Sequence, residues 1–257
     1  MIALTDTPKK ILVTGSSGAI GRPVCQHLIA RGHTVRGFDL VPTPELDDCV
    51  VADLADGAAV LDAAAGVDTI LHLGAYPNPA DFVKTLLRPN VIGLYNVCEA
   101  AREVGVERLV LASSVQTISG HDSAERTIRV DDGPRPTNHY ALTKVWAEAA
   151  GELYARCHSL SVISVRIGWL PRNFDEAKEL VRRESGPDFF LSHADAQRFF
   201  ERCVESTTPA RGESAILFAT SKPLKRERLD LAPAHQLIGY EPQNVWPEGL
   251  PFSVDGL

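Results

Sequence analysis

Tyr140-Ala-Leu-Thr-Lys144 sets a phenol and an ammonium four residues apart. On a helix, residues i and i+4 share a face, so both side chains enter one site. A free tyrosine has a pKa of about 10, too high for an efficient base at neutral pH. A lysine charge one turn away favours the phenolate. Such a pair removes a proton from a hydroxyl, provided that another group takes the hydride from the same carbon. Ser114 follows the apolar run Arg108–Ala112 and Ser113. From that strand end its hydroxyl can bond the reacting oxygen. Tyr140, Lys144 and Ser114 are therefore the candidate catalytic residues. Taken alone, the tyrosine–lysine spacing is also that of a solvated surface pair.

The hydride acceptor is implied near the start of the chain. Ile11-Leu12-Val13 is an apolar run, followed by Thr14 and glycines at Gly15, Gly18 and Gly21, then an amphipathic run Pro23–Ala30. Strand, tight turn and helix in that order place free N–H groups and a positive helix end against a pyrophosphate. The spacing is one residue longer between the first two glycines than the common dinucleotide fingerprint. Gly15, Ser17, Gly18, Ala19, Ile20 and Gly21 are the candidate phosphate cradle. Thr34–Asp39 reads as the next strand, and its closing acid stands 18 residues after Gly21. A carboxylate there meets ribose hydroxyls and repels a 2′-phosphate, which favours NAD over NADP. Arg22 and Arg36 stand near enough in sequence to offer that phosphate a site. Leu40 flanks Asp39 on the adenosine side.

The elements between these motifs alternate. Val50–Ala52 is a short strand leading to Asp53 and Leu54. Asp53 either accepts from the adenine amino group or caps the helix Ala58–Ala65. Asp68–Leu73 is a fourth strand, with Leu73, Gly74 and Ala75 letting a cofactor lie across its end. His72 inside it reads as structural. A helix spans Asn90–Val104, a fifth strand Arg108–Ala112, a surface loop Gly120–Asn138, a helix Tyr140–Cys157 and a sixth strand Ser161–Ile167. The pattern implies a doubly wound parallel α/β sheet of Rossmann type, with ligands at the carboxyl ends of the strands. Residues 9–168 form the dinucleotide-binding core of a single domain. Beyond Gly168 come helices Phe174–Glu184 and Asp195–Glu205, a strand Ser214–Ala219 and a loop-rich tail from Leu231. Residues 169–257 are mainly the substrate lobe.

Composition bounds the alternatives. The 257 residues are 44% hydrophobic and 23% charged, with a net charge of −7. That balance argues against nucleic acid and anionic membranes as partners. Five cysteines without a C-x-x-C pair predict buried, reduced thiols and a cytoplasmic protein rather than a disulfide or metal framework. Residues 1–10 carry no apolar signal core, and no apolar run reaches membrane-spanning length.

Together these residues resemble the extended short-chain dehydrogenase/reductase family, the NAD-dependent epimerase/dehydratase group. The resemblance rests on Thr14–Gly21, Asp39, Asp53-Leu54, His72–Ala75, Asn90 with Gly93, Ser113-Ser114, Tyr140 with Lys144, and Arg166-Ile167-Gly168. It implies that Asn90, Ile167, Tyr140 and Lys144 also contact NAD, and that Lys144 holds the nicotinamide ribose. Leu-Ser-His-Ala-Asp at 191–195 and the short length are similar to uronate dehydrogenase-like members. Those members imply NAD-dependent oxidation of a small sugar acid, with Tyr140 as base. Alternatives are an epimerase or dehydratase that retains its NAD, or a non-catalytic NAD(P)-sensing protein. The resemblance also implies a homodimer or higher homo-oligomer, through the helices beginning at Asn90 and near Asn138.

The substrate positions depart from that pattern. An Asn-His pair of the uronate enzymes is Val115-Gln116 here, and two serines are Pro77 and Trp169. An arginine that grips a carboxylate has three candidates, Arg172, Arg182 and Arg183. Pro77, Ser114, Val115, Gln116, Tyr140 and Trp169 are the candidate substrate contacts, with Trp169 either a lid or core packing. Losing buried hydrogen-bonding groups changes specificity strongly. The departures predict retained hydride chemistry on a different substrate, less hydroxylated ones included.

Overall fold

The structure, a computed structural model, describes residues 4, 7–121, 126–254 and 256–257. Residues 122–125, inside the expected loop Gly120–Asn138, and most of the first six residues lie outside the described residues. The chain runs β1 Lys10–Thr14, α1 Gly21–Ala30, β2 Thr34–Asp39, β3 Cys49–Val51, α2 Gly57–Ala64, β4 Thr69–His72, a π-wound segment Phe82–Gly93, α3 Leu94–Val104 and β5 Arg108–Ser114. It continues through α4 His139–His158, β6 Ser161–Ile167, α5 Phe174–Arg182, α6 His193–Glu205, β7 Ser214–Ala219 and α7 Ala232–Ile238.

The seven strands form one parallel sheet in the order β3-β2-β1-β4-β5-β6-β7. Every residue of β4, β5 and β6 is buried, as continuous apolar strands covered on both faces must be. The side chains alternate between two cores. Ile11 and Val13 pack with α1, α6 and α7, whereas Leu12 packs with α2, α3 and α4. Strand order reverses between β1 and β4, and a ligand crevice opens at such a switch point.

Local boundaries shift for identifiable reasons. The sequence pattern starts a helix at Asn90, directly after Pro89. The chain instead coils from Phe82, with Asp81 accepting a bond from the Lys84 N–H, and carries Pro89 inside a π-wound stretch. A proline lacks its own donor and crowds the preceding turn, so wider winding accommodates it. The tail also holds α7, with Pro233 in its first turn, where proline is tolerated. α2 is capped by Asp56, which accepts from the Ala59 N–H, so Asp53 is not its cap. Strand β7 lies beside β6, so residues beyond 168 contribute to the sheet as well as to the cleft wall. Among the five free cysteines, Cys25, Cys98 and Cys203 are buried as expected, but Cys157 is exposed. No helix among the described residues is long and apolar enough to cross a membrane.

Candidate active site

A cleft of about 1180 Å³ runs along the carboxyl ends of the strands. Small-ligand sites are roughly 300–1,000 Å³, so this one has room for a dinucleotide and a second small molecule. Its floor begins at the turn after β1. Gly15 sits at φ +72°, and a Cβ there would come within 2.7 Å of the Gly74 nitrogen. A Cβ on Gly21 would lie 2.0 Å from the Gly15 oxygen. Only glycine lets β1, β4 and α1 converge this closely. Gly15, Ser17, Gly18, Ala19, Ile20 and Gly21 all line the cleft, and α1 has no acid in its first turn to repel a phosphate.

Asp39 closes β2 at the same end. One carboxylate oxygen accepts from the Ser17 N–H at 3.0 Å and the other from the Leu40 N–H at 2.7 Å. Each retains a lone pair for a ribose hydroxyl. The two arginines that could have held a 2′-phosphate are committed elsewhere. Arg22 is paired with Glu45, and Arg36 with Asp48 and the Ala63 and Ala65 carbonyls. Leu40, Asp53, Leu54, Leu73, Gly74 and Ala75 complete this half of the wall. Asp53 accepts from the Ala55 N–H and from Arg88, which together hold its carboxyl below the usual range despite some burial. These residues fit a dinucleotide with free ribose hydroxyls.

His72 is structural. Its Nδ1 meets Thr14 Oγ1 at 2.7 Å, and the same oxygen accepts from the Gly74 N–H. Burial, then the Lys144 charge, push its pKa down to about 3, so the ring stays neutral. Asn90 does not line the cleft. It is buried behind the wall, bonded to both backbone groups of Tyr76 and to Thr143 Oγ1. It therefore fixes the segment after β4 against α4.

The catalytic candidates meet where this half joins the substrate half. Asn138 caps α4 by accepting from the Ala141 N–H, which starts the helix just before Tyr140. Tyr140 and Ser114, at the end of β5, line the same cleft, and the Ser114 side chain favours the phenolate. Lys144 stands one turn on, its Nζ 5.7 Å from the Tyr140 ring centre and donating to the Ala112 carbonyl at 2.9 Å. Burial pushes the Lys144 ammonium down to about 8. The sequence alone expects a phenol lowered by Lys144. Instead burial pushes Tyr140 up to about 12, opposed by the polar Ser114 side chain and by the charge of Arg172. Spacing reveals the neighbour but not the loss of water around the phenol.

Pro77, Val115, Gln116 and Trp169, expected as substrate contacts, line the cleft, as does Ile167, expected as an NAD contact, and so do residues that spacing did not single out. Gln116 Oε1 accepts from Asn138 Nδ2 at 3.0 Å, tying the end of β5 to the cap of α4. Asn78, Ser119, His121, Thr137 and Ser185 add polar groups, more than the four substitutions alone suggest. Trp169 is half-buried against the cleft, with the Arg183 guanidinium 5.1 Å over its ring. Of the three arginines, Arg172 and Arg183 line the cleft. Arg182 does not and pairs with Glu179 on the exposed face of α5. The Leu191–Asp195 segment works from behind. Ser192 caps α6, and buried Asp195 accepts from Ser221 and from the backbone of Gln243 and Asn244, anchoring the tail. Among the described residues, no group of three or more His, Cys, Asp or Glu could hold a metal ion.

The model of the NAD dependent epimerase/dehydratase family matches residues 11–170. The chain belongs to this family. The L-arabinose 1-dehydrogenase (NAD(P)(+)) of Haloferax volcanii is 32% identical over 251 residues, spanning 91% of this chain and 96% of that one. The uronate dehydrogenase of Pseudomonas putida is 34% identical over 222 residues, spanning 84% and 79%. The crystal structure of a tyrosine-to-alanine mutant of uronate dehydrogenase from Agrobacterium tumefaciens complexed with NAD is 30% identical, with a TM-score of 0.77 over 93% of this chain and 86% of that one.

Proposed function

We propose that the chain is an NAD-dependent dehydrogenase that oxidises a ring hydroxyl of a small sugar or sugar acid, with Tyr140 as base. The observation that carries this reading is that Ser114, Tyr140 and Lys144 line one cleft together with the glycine turn and Asp39, with Lys144 Nζ 5.7 Å from the Tyr140 ring centre. The relatives support the class, being named for the oxidation of a pentose at its first carbon and of uronates.

Bound NAD would supply the hydride acceptor. The glycine turn would hold its pyrophosphate, Asp39 its adenosine ribose, and Lys144 its nicotinamide ribose. Ser114 donates to the substrate oxygen and aims the hydroxyl at Tyr140. The Tyr140 oxygen takes the hydroxyl proton as the carbon gives up its hydride. Oxidation at the first carbon of a cyclic sugar leaves a lactone. Because burial pushes the phenol up to about 12, the step needs positive charge nearby. Arg172 and Lys144 supply it from the chain, and the oxidised nicotinamide adds to it.

The test follows reduced-nicotinamide absorbance with NAD, and separately NADP, across aldoses, uronates, sugar phosphates and simple secondary alcohols. The reading expects NAD-dependent turnover of a sugar that falls by about 100-fold or more in Tyr140→Phe. Silence across the panel while NAD binds would move the assignment to an epimerase, a dehydratase or a cofactor sensor.

A further inference from the structure

Arg172 is the cation that bears on both Tyr140 and the substrate half of the cleft. Its guanidinium is already occupied. Nε donates to Glu176 Oε1 at 2.8 Å and Oε2 at 3.0 Å, and Nη2 stands 2.5 Å from Oε1. The Arg172 N–H donates to Glu176 Oε2 at 2.9 Å, and Nη2 also reaches the Asn78 carboxamide. The pair is locally encoded. Asn173 caps α5 by accepting from the Glu176 N–H, which puts Glu176 in the first turn and one turn beyond Arg172. Glu176 itself lines the cleft. Burial pushes its carboxyl up, but the bonds and charge of Arg172 outweigh that and hold it below the usual range, so it is ionised at neutral pH. Arg183 also has a carboxylate neighbour, with Glu179 3.7 Å away, while its guanidinium covers Trp169. Lys144 is turned to the Ala112 carbonyl on the nucleotide side.

We propose that Glu176 is a built-in counter-ion that fills the arginine fork a substrate carboxylate or phosphate would otherwise grip, so that the cleft prefers neutral aldoses to their acidic counterparts. This rests on the dehydrogenase reading for where the sugar sits. A bidentate fork recognises one carboxylate at a time. An incoming anion must displace a carboxylate tethered four residues away, whose effective concentration is high. It must then lie beside the displaced Glu176, and like charges brought together in a cleft repel. A neutral sugar hydroxyl meets neither obstacle and can still bond the outer edge of the ion pair.

The test is calorimetric titration of the protein loaded with NADH. Reduced cofactor with unoxidised sugar binds without turning over. The matched probes are D-galactose against D-galacturonate, and D-glucose against D-glucuronate and D-glucose 6-phosphate, with L-arabinose added. The neutral member of each pair binds about tenfold tighter or more. In Glu176→Gln the amide oxygen still accepts from the Arg172 N–H, so the helix start is kept while the charge is lost. That variant shifts the acid-to-neutral affinity ratio toward the acid by about tenfold, and adding Arg172→Gln abolishes the shift. NADH binding reports that each variant is folded. Acids binding as tightly as neutral sugars, a ratio unmoved by Glu176→Gln, or no sugar binding at all would each overturn the proposal. Neutral sugars that bind as described but give no NADH from NAD would sink the dehydrogenase reading and leave this inference standing.

Discussion

The Arg166 guanidinium and the Glu148 carboxylate meet in two bonds, of 2.8 and 2.9 Å, with almost no exposure of either side chain. Ser113 Oγ donates to the same carboxylate at 2.6 Å. One cluster therefore joins the ends of β5 and β6 to α4, one turn past Lys144. The remaining nitrogen, Nη1, has no hydrogen-bond partner among the described residues, and the guanidinium lies 5.4 Å from the Phe218 ring centre. Removing one partner leaves a buried charge. Arg166→Met should cost about 3–5 kcal/mol in urea unfolding, and adding Glu148→Leu should recover most of it. A single-variant loss below about 1 kcal/mol, the scale of exposed pairs, would show that water reaches this cluster.

Lys144 gives a prediction with a definite sign. Burial lowers its pKa from 10.5 to about 8. Between those values the unfolded chain binds the proton that the folded chain has released, so stability rises with pH there. Below about pH 8 both states are charged and the full cost of burying the ammonium is present. Lys144→Met should therefore stabilise the cofactor-free protein at pH 7, by about 1–3 kcal/mol. The gain should shrink from pH 8 to 10.5 and then vanish, while activity is lost throughout. Thermal midpoints of both proteins across that range check it. A gain independent of pH would assign the effect to packing.

The parts of the site legible in the sequence are those set by local rules. Gly15 and Gly21 betray a turn only glycine can make, and Tyr140 and Lys144 share a face by helical spacing alone. Asp39 is legible because it ends a strand at a fixed remove from that turn. What spacing hides is burial and three-dimensional company. It shows Lys144 beside Tyr140 but not the desolvation that raises the phenol. It also cannot separate Arg172 from Arg182, because which one faces the cleft depends on how α5 docks. Asn90 looks like a ligand contact in sequence but spends its carboxamide on Tyr76 and Thr143. The helix read from Asn90 begins earlier in the structure, because a π-wound stretch that carries Pro89 leaves no mark in the periodicity.

Asp39 should decide cofactor choice. If the adenosine ribose binds at the end of β2, as proposed, the Asp39 carboxylate repels a 2′-phosphate, and Arg22 and Arg36 are paired with Glu45 and Asp48. Asp39→Asn removes the charge while its side-chain oxygen can still accept from the Ser17 or Leu40 N–H. The ratio of kcat/KM for NADP to that for NAD should rise about tenfold or more. Steady-state rates with each cofactor measure it. An unchanged ratio would mean that the adenosine ribose binds away from β2.

The exposed apolar side chains of α3 and α4 bear on the expected homo-oligomer. Leu142, Trp146 and Leu153 on α4 and Tyr95 on α3 are each about half exposed, although both helices pack on the same side of the sheet. Leu142 and Trp146 are one turn apart and share a face. Exposed apolar surface of this kind marks an interaction site, and we propose that a second copy of the chain covers it, with α3 and α4 of each protomer meeting. Sedimentation equilibrium should then give twice the chain mass of 27.9 kDa. Trp146→Glu sets a charge in the middle of the contact and should weaken association by about thirtyfold or more, the scale of an interface hot spot. The Tyr140 side of α4 faces inward, so NAD affinity per chain should survive in the separated protomer. A wild-type chain that sediments as a monomer, or a variant that still pairs with unchanged affinity, would rule this face out.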